Sequence, residues 1–210
     1  MRNINLRYVK ETYGDDGLLK YFDIDCPDDF NFGYDIVDDI AVNDPQRVAL
    51  VWQSANGECR RFTFADIKRL SDKTCNYLTS KGIGKGDFVM LVLKHSYQFW
   101  FISVALHKMG AVSVPATYML KSHDIEYRID AAGIKAAIVI ADAGVTDSFD
   151  ASRNIDKLAC KFTVNGSKDG WCDFDSELEG YSDVWERVPT KRTDRFLMYF
   201  TSGTSGNPKM

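Results

Sequence analysis

The residues of this sequence that are best suited to chemistry lie together in one stretch of nine. The stretch carries four hydroxyl side chains, two glycines and one lysine, in the order Thr201, Ser202, Gly203, Thr204, Ser205, Gly206, Asn207, Pro208 and Lys209. Glycine lets a backbone approach an anion closely and point its N–H groups at it, because no side chain intervenes. Hydroxyl groups add donors that can rotate, and lysine adds a positive point charge. A polyphosphate requires this combination, although flexible surface connectors have a similar composition.

The stretch does not match the phosphate-binding pattern G-x-x-x-x-G-K-[ST] of P-loop enzymes. Pro208 stands where that pattern requires glycine before the lysine, and Met210 stands where it requires a hydroxyl residue. We therefore expect no kinase or GTPase chemistry of that type. On composition alone, a phosphate loop and a surface connector remain equal alternatives.

A mostly parallel sheet flanked by helices, an α/β fold, is predicted to position this loop. Short apolar runs at 88–93, 111–114, 136–141, 162–164 and 196–200 are typical of strands that are covered on both faces. Amphipathic segments between them predict helices at 64–81, 96–109 and 122–132, which end at Gly82, Gly110 and Gly133. Ligands of such sheets bind beyond the carboxyl ends of the strands, and the nine-residue loop follows the last predicted strand.

The chain before this sheet is predicted to differ from it. Runs at 48–53 and 59–62, joined through Asn56-Gly57, predict a short N-terminal β-hairpin. Thr63 and Asp66 then form a weaker variant of the capping box at a helix start. Residues 1–30 lack clear periodicity, and we interpret them as a partly helical extension on the surface, followed by one domain over residues 31–210.

Two groups of side chains on the helix predicted at 96–109 suggest chemistry less strongly than the loop does. Phe99, Trp100 and Phe101 could line an acyl site, but the pattern favours core packing. His107 falls on an apolar face, and we interpret it as a core histidine with its hydrogen bonds satisfied.

Composition excludes several classes of function. With 210 residues and a formal net charge of −4, the chain is not expected to bind nucleic acid through bulk positive charge. The five cysteines are scattered, form no C-x-x-C pair and suit a reducing compartment. Residues 99–106, the most apolar stretch, are too short to cross a bilayer, and the first twenty residues lack the apolar core of a secretory signal. We expect a cytoplasmic protein without a membrane span.

The residue order from Tyr199 to Lys209 resembles the signature loop of the adenylate-forming superfamily, which includes acyl-CoA synthetases, luciferases and the adenylation domains of peptide synthetases. Several finer features resemble medium-chain acyl-CoA synthetases. They are Thr204-Ser205-Gly206 with Met210, Phe30-Asn31-Phe32 with a helix at 35–41, Met119-Leu120-Lys121-Ser122 with Asp124-Ile125, and Asp169-Gly170-Trp171. Residues 108–115 resemble a second, mostly structural element of the superfamily. The resemblance runs from about residue 30 to the last residue.

This resemblance implies a function. In the family, the loop contacts the β- and γ-phosphates of ATP, a role that carries over only to residues 201–209. ATP and a carboxylic acid, with Mg²⁺, give an acyl adenylate and pyrophosphate, and coenzyme A then displaces AMP to form a thioester. The implied acid is of short or medium chain. Residues 31–210 would be an incomplete N-terminal adenylation domain that ends at the phosphate loop.

The same resemblance leaves alternatives open. The family's metal-binding glutamate, its adenine contacts and its lid lie beyond residue 210, so we expect a fragment that is inactive alone, with its catalytic residues unknown. An apolar sheet edge exposed by the early stop would favour self-association. One alternative is another adenylating ligase, which acts on aryl acids or loads a carrier protein. A second is a non-catalytic nucleotide-binding module.

Overall fold

The computed structural model describes residues 7–201 and 208–210. Within them, the chain begins with two antiparallel hairpins, made of β1 (Val9–Tyr13) with β2 (Leu19–Ile24) and of β3 (Val48–Gln53) with β4 (Cys59–Thr63). Between the hairpins, a π-helix over Gly33–Asp38 continues into the short helix α1 (Asp39–Asn43).

The rest of the described chain alternates strands with helices, as predicted. The strands are β5 (Phe88–Val92), β6 (Val112–Pro115), β7 (Ile134–Ile140), β8 (Cys160–Val164) and β9 (Cys172–Asp173). The helices are α2 (Phe64–Ser80), α3 (Gln98–Met109), α4 (Ser122–Ala132), α5 (Ala143–Asp150), a 3-10 turn (Ile155–Lys157) and α6 (Phe174–Leu178). The strands form one parallel sheet in the order β6–β5–β7–β8–β9. The predicted α/β fold is confirmed.

Two apolar layers cover the two faces of this sheet, because neighbouring residues of a strand point to opposite sides. On β5, Val89 and Leu91 pack in the layer that also contains Phe101 from α3. Met90 and Val92 pack in the other layer, with residues of α4 and α5 such as Ile125 and Phe149. The continuous apolar run of β5 therefore follows from burial on both faces.

The local signals for helix ends are confirmed. The Thr63 hydroxyl accepts a hydrogen bond from the Asp66 N–H, and the Asp66 carboxylate accepts one from the Thr63 N–H, which completes the capping box. Gly110 and Gly133 end α3 and α4 with φ of 71° and 61°. These left-handed conformations favour glycine, because it has no Cβ to clash with the carbonyl group.

The prediction of a strand over 196–200 is wrong. The segment touches the sheet through one parallel bridge between Ser113 and Leu197. The Ser113 N–H donates to the Phe196 carbonyl at 2.9 Å, and the Met198 N–H donates to the Ser113 carbonyl at 2.9 Å. Within the described residues this is the only bridge between the segment and a strand, so the segment does not form a ladder.

Other expectations also need correction. Residues 9–24 lie on the surface, as expected, but they form the β1–β2 hairpin and not a partly helical extension. Helix α3 begins at Gln98, two residues after the expected Ser96. Phe101 is buried, whereas Trp100 on the same helix is 54% exposed and does not pack in the core. The division into residues 1–30 and 31–210 stays a prediction.

A buried ionic cluster fastens the helices on one side of the sheet to each other. The ammonium of Lys108 on α3 is fully buried and lies 2.7 Å from a carboxylate oxygen of Asp72 on α2 and 2.6 Å from one of Asp38 on the π-helix. Burial raises the pKa of Asp38. The backbone of Gly33 approaches this lysine so closely that a Cβ there would lie 2.7 Å from its Cγ.

Candidate phosphate-binding site

The structure describes three of the nine residues of the predicted phosphate loop, namely Thr201, Pro208 and Lys209. Ser202, Gly203, Thr204, Ser205, Gly206 and Asn207 lie outside the described residues. Thr201 and Lys209 form an antiparallel bridge, in which the Thr201 N–H donates to the Lys209 carbonyl at 2.8 Å and the Lys209 N–H donates to the Thr201 carbonyl at 3.0 Å. The backbone therefore closes the two ends of the loop onto each other.

Helix α4 contacts both ends of the loop at this base. The hydroxyl of Tyr127 donates to the Pro208 carbonyl at 2.9 Å, and its ring meets the ring of Phe200 edge-on at 6.2 Å between centroids. The guanidinium of Arg128, the next residue, lies 5.0 Å from the centre of the Phe200 ring. Both ends of the loop are thus fixed by one turn of α4, through a hydrogen bond at Pro208 and through aromatic packing at Phe200.

The base of the loop lies at the carboxyl end of the sheet. Residues 196–198 run parallel to β6 through their bridge to Ser113, so the chain reaches Thr201 beyond the end of that strand. This is the position where ligands of open parallel sheets bind. The loop therefore lies at the predicted edge of the sheet, although residues 196–200 do not form the predicted strand.

A second group of polar residues lies after strands of the same sheet, and the sequence reasoning missed it. The Lys94 ammonium, after β5, lies 2.7 Å from a carboxylate oxygen of Asp142, after β7, and 4.8 Å from the centre of the Tyr118 ring. The hydrogen bond from Lys94 holds the pKa of Asp142 below its usual value. The signal available in the sequence was their position, since each residue closely follows a buried strand.

The described residues offer no metal centre. Residues 7–201 and 208–210 contain no group of three His, Cys, Asp or Glu side chains placed to hold a metal ion. No residue within these ranges is therefore assigned to Mg²⁺. The same residues also contain no helix that is long and apolar enough to cross a membrane.

Comparisons with known proteins match most of this chain. A family model described as "AMP-binding enzyme" matches residues 37–210. Acyl-coenzyme A synthetase ACSM4, mitochondrial, of Rattus norvegicus is 33% identical over 192 residues, which are 88% of this chain and 33% of the relative. Acyl-coenzyme A synthetase ACSM3, mitochondrial, of Mus musculus is 34% identical over 203 residues, which are 93% of this chain and 35% of the relative. The chain therefore spans about a third of the length of these curated relatives.

A solved structure shows the same fold. An acyl-CoA synthetase of Brucella canis superposes with a TM-score of 0.75 at 24% sequence identity, over 86% of this chain and 32% of that one. At this identity the likeness concerns the arrangement of the sheet and its helices. The site residues are compared only through the family match, which includes the whole stretch from Thr201 to Lys209.

Proposed function

The chain belongs to the AMP-binding enzyme family, and from this premise we propose that it supplies the phosphate-binding loop of an ATP-dependent acyl-CoA synthetase. In the proposed reaction, a carboxylic acid and ATP form an acyl adenylate and pyrophosphate, and the thiol of coenzyme A then displaces AMP. The names of the two relatives, both acyl-coenzyme A synthetases, support this reaction class. The chain spans about a third of the length of these relatives. The complete reaction, which needs the whole protein, is therefore also a proposal.

One observation carries this proposal, namely the closed base of the loop at the carboxyl end of the sheet. The two hydrogen bonds between Thr201 and Lys209 bring the first and last loop residues together. The hydroxyl of Tyr127 links the Pro208 carbonyl to α4. Lys209 is exposed, so its ammonium is available to an anion. A loop held in this way would keep a triphosphate in line while negative charge builds on the departing pyrophosphate.

The finer parts of the proposal concern the other participants. We propose an acid of short or medium chain, coenzyme A as the acceptor and a cytoplasmic location. Mg²⁺ would neutralise phosphate charge, but no described residue is assigned to it. Exposed apolar side chains beside the loop, at Phe196, Leu197 and Tyr199, support self-association of the chain.

Identification of the product tests the proposal. The natural polypeptide is incubated with ATP, Mg²⁺ and acids of graded length, with either coenzyme A or a free carrier protein as the acceptor, and the products are identified by mass spectrometry. An acyl-CoA made from an aliphatic acid is the expected result. Transfer to the carrier protein alone, or turnover of aryl acids alone, would establish a different adenylating ligase. ATP binding without any product would leave a non-catalytic module.

A further inference from the structure

A lysine and two cysteines meet where the end of α2 packs against the last two strands of the sheet. Lys81 directly follows α2, Cys160 begins β8 and Cys172 begins β9. The Lys81 ammonium lies 3.6 Å from the Cys172 sulfur, and the Cys160 thiol donates to the Lys81 carbonyl at 3.5 Å. The chain enters the phosphate loop beside β6, which is the opposite edge of the sheet from β9, so this cluster is separate from the proposed ATP site.

A carboxylate holds the Lys81 ammonium beside this sulfur. Glu177 on α6 lies 2.7 Å from the Lys81 nitrogen. Their hydrogen bond raises the pKa of Lys81 and lowers that of Glu177. The two side chains are 27% and 37% exposed, and Cys172 is partly exposed as a free thiol. The cluster is therefore both ordered and accessible to a small polar molecule from the solvent.

A hydroxyl without a partner lies in the same cluster. Tyr77 on α2 is fully buried, and within the described residues its hydroxyl has no hydrogen-bond partner. Burial raises the pKa of this hydroxyl, and the neighbouring Glu177 and Cys172 raise it further. The Lys81 ammonium lies 5.4 Å from the centre of the Tyr77 ring. A buried donor without an acceptor costs free energy, and an oxygen atom added to the Cys172 sulfur would offer it an acceptor.

We propose that Lys81 and Cys172 form an oxidative cross-link, a sulfenamide bond between the lysine nitrogen and the cysteine sulfur, with hydrogen peroxide as the oxidant. The bond would join residues that are 91 positions apart and fasten the end of α2 to the edge strand β9. This modification site goes beyond the proposed synthetase reaction and does not depend on it.

The first step oxidises the sulfur. The sulfur of Cys172 attacks one oxygen of the peroxide, and the O–O bond breaks. The hydroxide that leaves takes the thiol proton and becomes water. The sulfur loses two electrons and becomes a sulfenic acid, and the peroxide is reduced by the same two electrons. Oxidation of this kind follows the exposure of the thiol, and Cys172 is partly exposed.

The second step forms the bond to nitrogen. Glu177 takes one proton from the Lys81 ammonium, and the neutral amine attacks the sulfenic sulfur. The N–S bond forms, the S–O bond breaks, and the leaving hydroxide takes a proton from the nitrogen to give a second water. Because the ion pair stabilises the charged forms of both side chains, this step is slower than the first. The sulfenic acid therefore accumulates before the cross-link.

The thiol of Cys160 is the competing partner, because a sulfenic acid also condenses with a thiol to give a disulfide. Two observations favour the nitrogen of Lys81. The strand register pairs Cys172 with Phe162 and not with Cys160. The Cys160 thiol is directed to the Lys81 carbonyl, whereas the Lys81 nitrogen is already in contact with the Cys172 sulfur.

The test is oxidation of the 210-residue chain with hydrogen peroxide. Free thiols are then blocked with N-ethylmaleimide, and the chain is digested and analysed by mass spectrometry. We expect a linked pair of peptides that contains Lys81 and Cys172 and is lighter by two hydrogen atoms than the sum of its parts. Dithiothreitol should release the two peptides. Dimedone added with the peroxide should trap the sulfenic acid and lower the yield of the linked pair.

Three variants make the test specific. Lys81→Arg keeps a positive charge opposite Glu177 but removes the primary amine, so the linked pair should be lost while dimedone still labels the cysteine. Cys160→Ser should leave the linked pair unchanged. Lys73→Arg is the matched control, because Lys73 lies on α2 and pairs with a different glutamate, and it should also leave the pair unchanged. Circular dichroism spectra establish that each variant is folded.

Several results would overturn the inference. They are a disulfide between Cys160 and Cys172 as the main product, a linked pair that persists in the Lys81→Arg variant, and a sulfenic acid that never becomes linked. An unmodified Cys172 under conditions that oxidise the exposed Cys59 would also overturn it. None of these readouts uses ATP or an acid substrate, so their failure is distinct from failure of the proposed synthetase reaction.

Discussion

The backbones of Thr201 and Lys209 are joined by two reciprocal hydrogen bonds, of 2.8 and 3.0 Å, although the residues are separated by eight positions in the chain. This pairing joins the two ends of the predicted loop. Because Tyr127 also binds the Pro208 carbonyl, the position of the Lys209 backbone depends on α4 as well as on the loop itself. The geometry of the proposed phosphate site therefore depends on a helix that lies outside the motif.

The first prediction concerns this support from α4. Tyr127→Phe removes the hydroxyl that donates to Pro208 but keeps the ring that packs on Phe200. A neutral hydrogen bond contributes about 0.5–1.5 kcal/mol, so we expect the KM for ATP to rise by roughly two- to tenfold. The measurement is the initial rate of adenylation by the natural polypeptide at graded ATP concentrations. Tyr21→Phe, in the exposed strand β2, is the matched control, and an equal effect of both changes would contradict the prediction.

The second prediction concerns the buried ionic cluster. Lys108→Met removes the ammonium that lies against Asp38 and leaves the buried Asp72 carboxylate with Lys68 as its remaining partner. Breaking a buried pair from one side costs about 3–5 kcal/mol, so the free energy of unfolding should fall by that amount in a urea titration. Lys157→Met breaks an exposed pair and should cost no more than about 1 kcal/mol.

A double variant shows whether the cost arises from the unpaired charge. Asp72→Asn combined with Lys108→Met removes one of the two carboxylates that the ammonium neutralised. We expect the double variant to lose less stability than the sum of the two single variants. Strict additivity would mean that the residues do not interact, in conflict with the 2.7 Å distance between their charged atoms.

The third prediction concerns pH. The pKa of His107 is about 4 in the folded chain because of burial, whereas an unfolded histidine titrates near 6.5. Between these values the unfolded chain binds a proton and the folded chain does not, so stability is full above about pH 6.5 and falls as the pH drops toward 4. Each unit of pKa difference is worth about 1.4 kcal/mol.

His107→Phe should remove this part of the pH dependence and keep the stacking with Phe196. The measurement compares the free energy of unfolding of both proteins from pH 7 to pH 4. The difference between them should change in favour of the variant as the pH falls. Parallel curves would show that His107 titrates normally in the folded chain, and would contradict its burial among Phe32 and Phe196.

The sequence predicts those features of the fold that are decided locally. Thr63 and Asp66 are three residues apart, and Gly110 and Gly133 each act on the turn that precedes them, so the ends of α2, α3 and α4 could be read directly. The segment 196–200 has strand-like residues, but a strand also needs neighbours. Its pairing to Ser113 depends on a residue more than eighty positions away, which no local pattern reveals.

The residues that support the candidate site could not be predicted from the sequence for the same reason. The motif from Thr201 to Lys209 is recognisable from its residue types, and the place of its base beyond the sheet was correctly expected. Tyr127 and Lys94 carry no motif, and their roles arise only when α4 and β5 are brought next to their partners in the folded chain. The apolar neighbours of Trp100 predict a core position, yet the helix turns this side chain to the surface.

Carboxylate-dependent exchange of labelled pyrophosphate into ATP tests the central claim most directly. It is measured on the natural polypeptide with acids of graded length, and again on the Lys209→Ala variant. The account predicts exchange with an aliphatic acid, and a loss of about 10²-fold in the variant with little change in the KM for the acid, because Lys209 acts on the phosphates. Absence of exchange with every acid from a folded protein, or equal exchange by the variant, would contradict it.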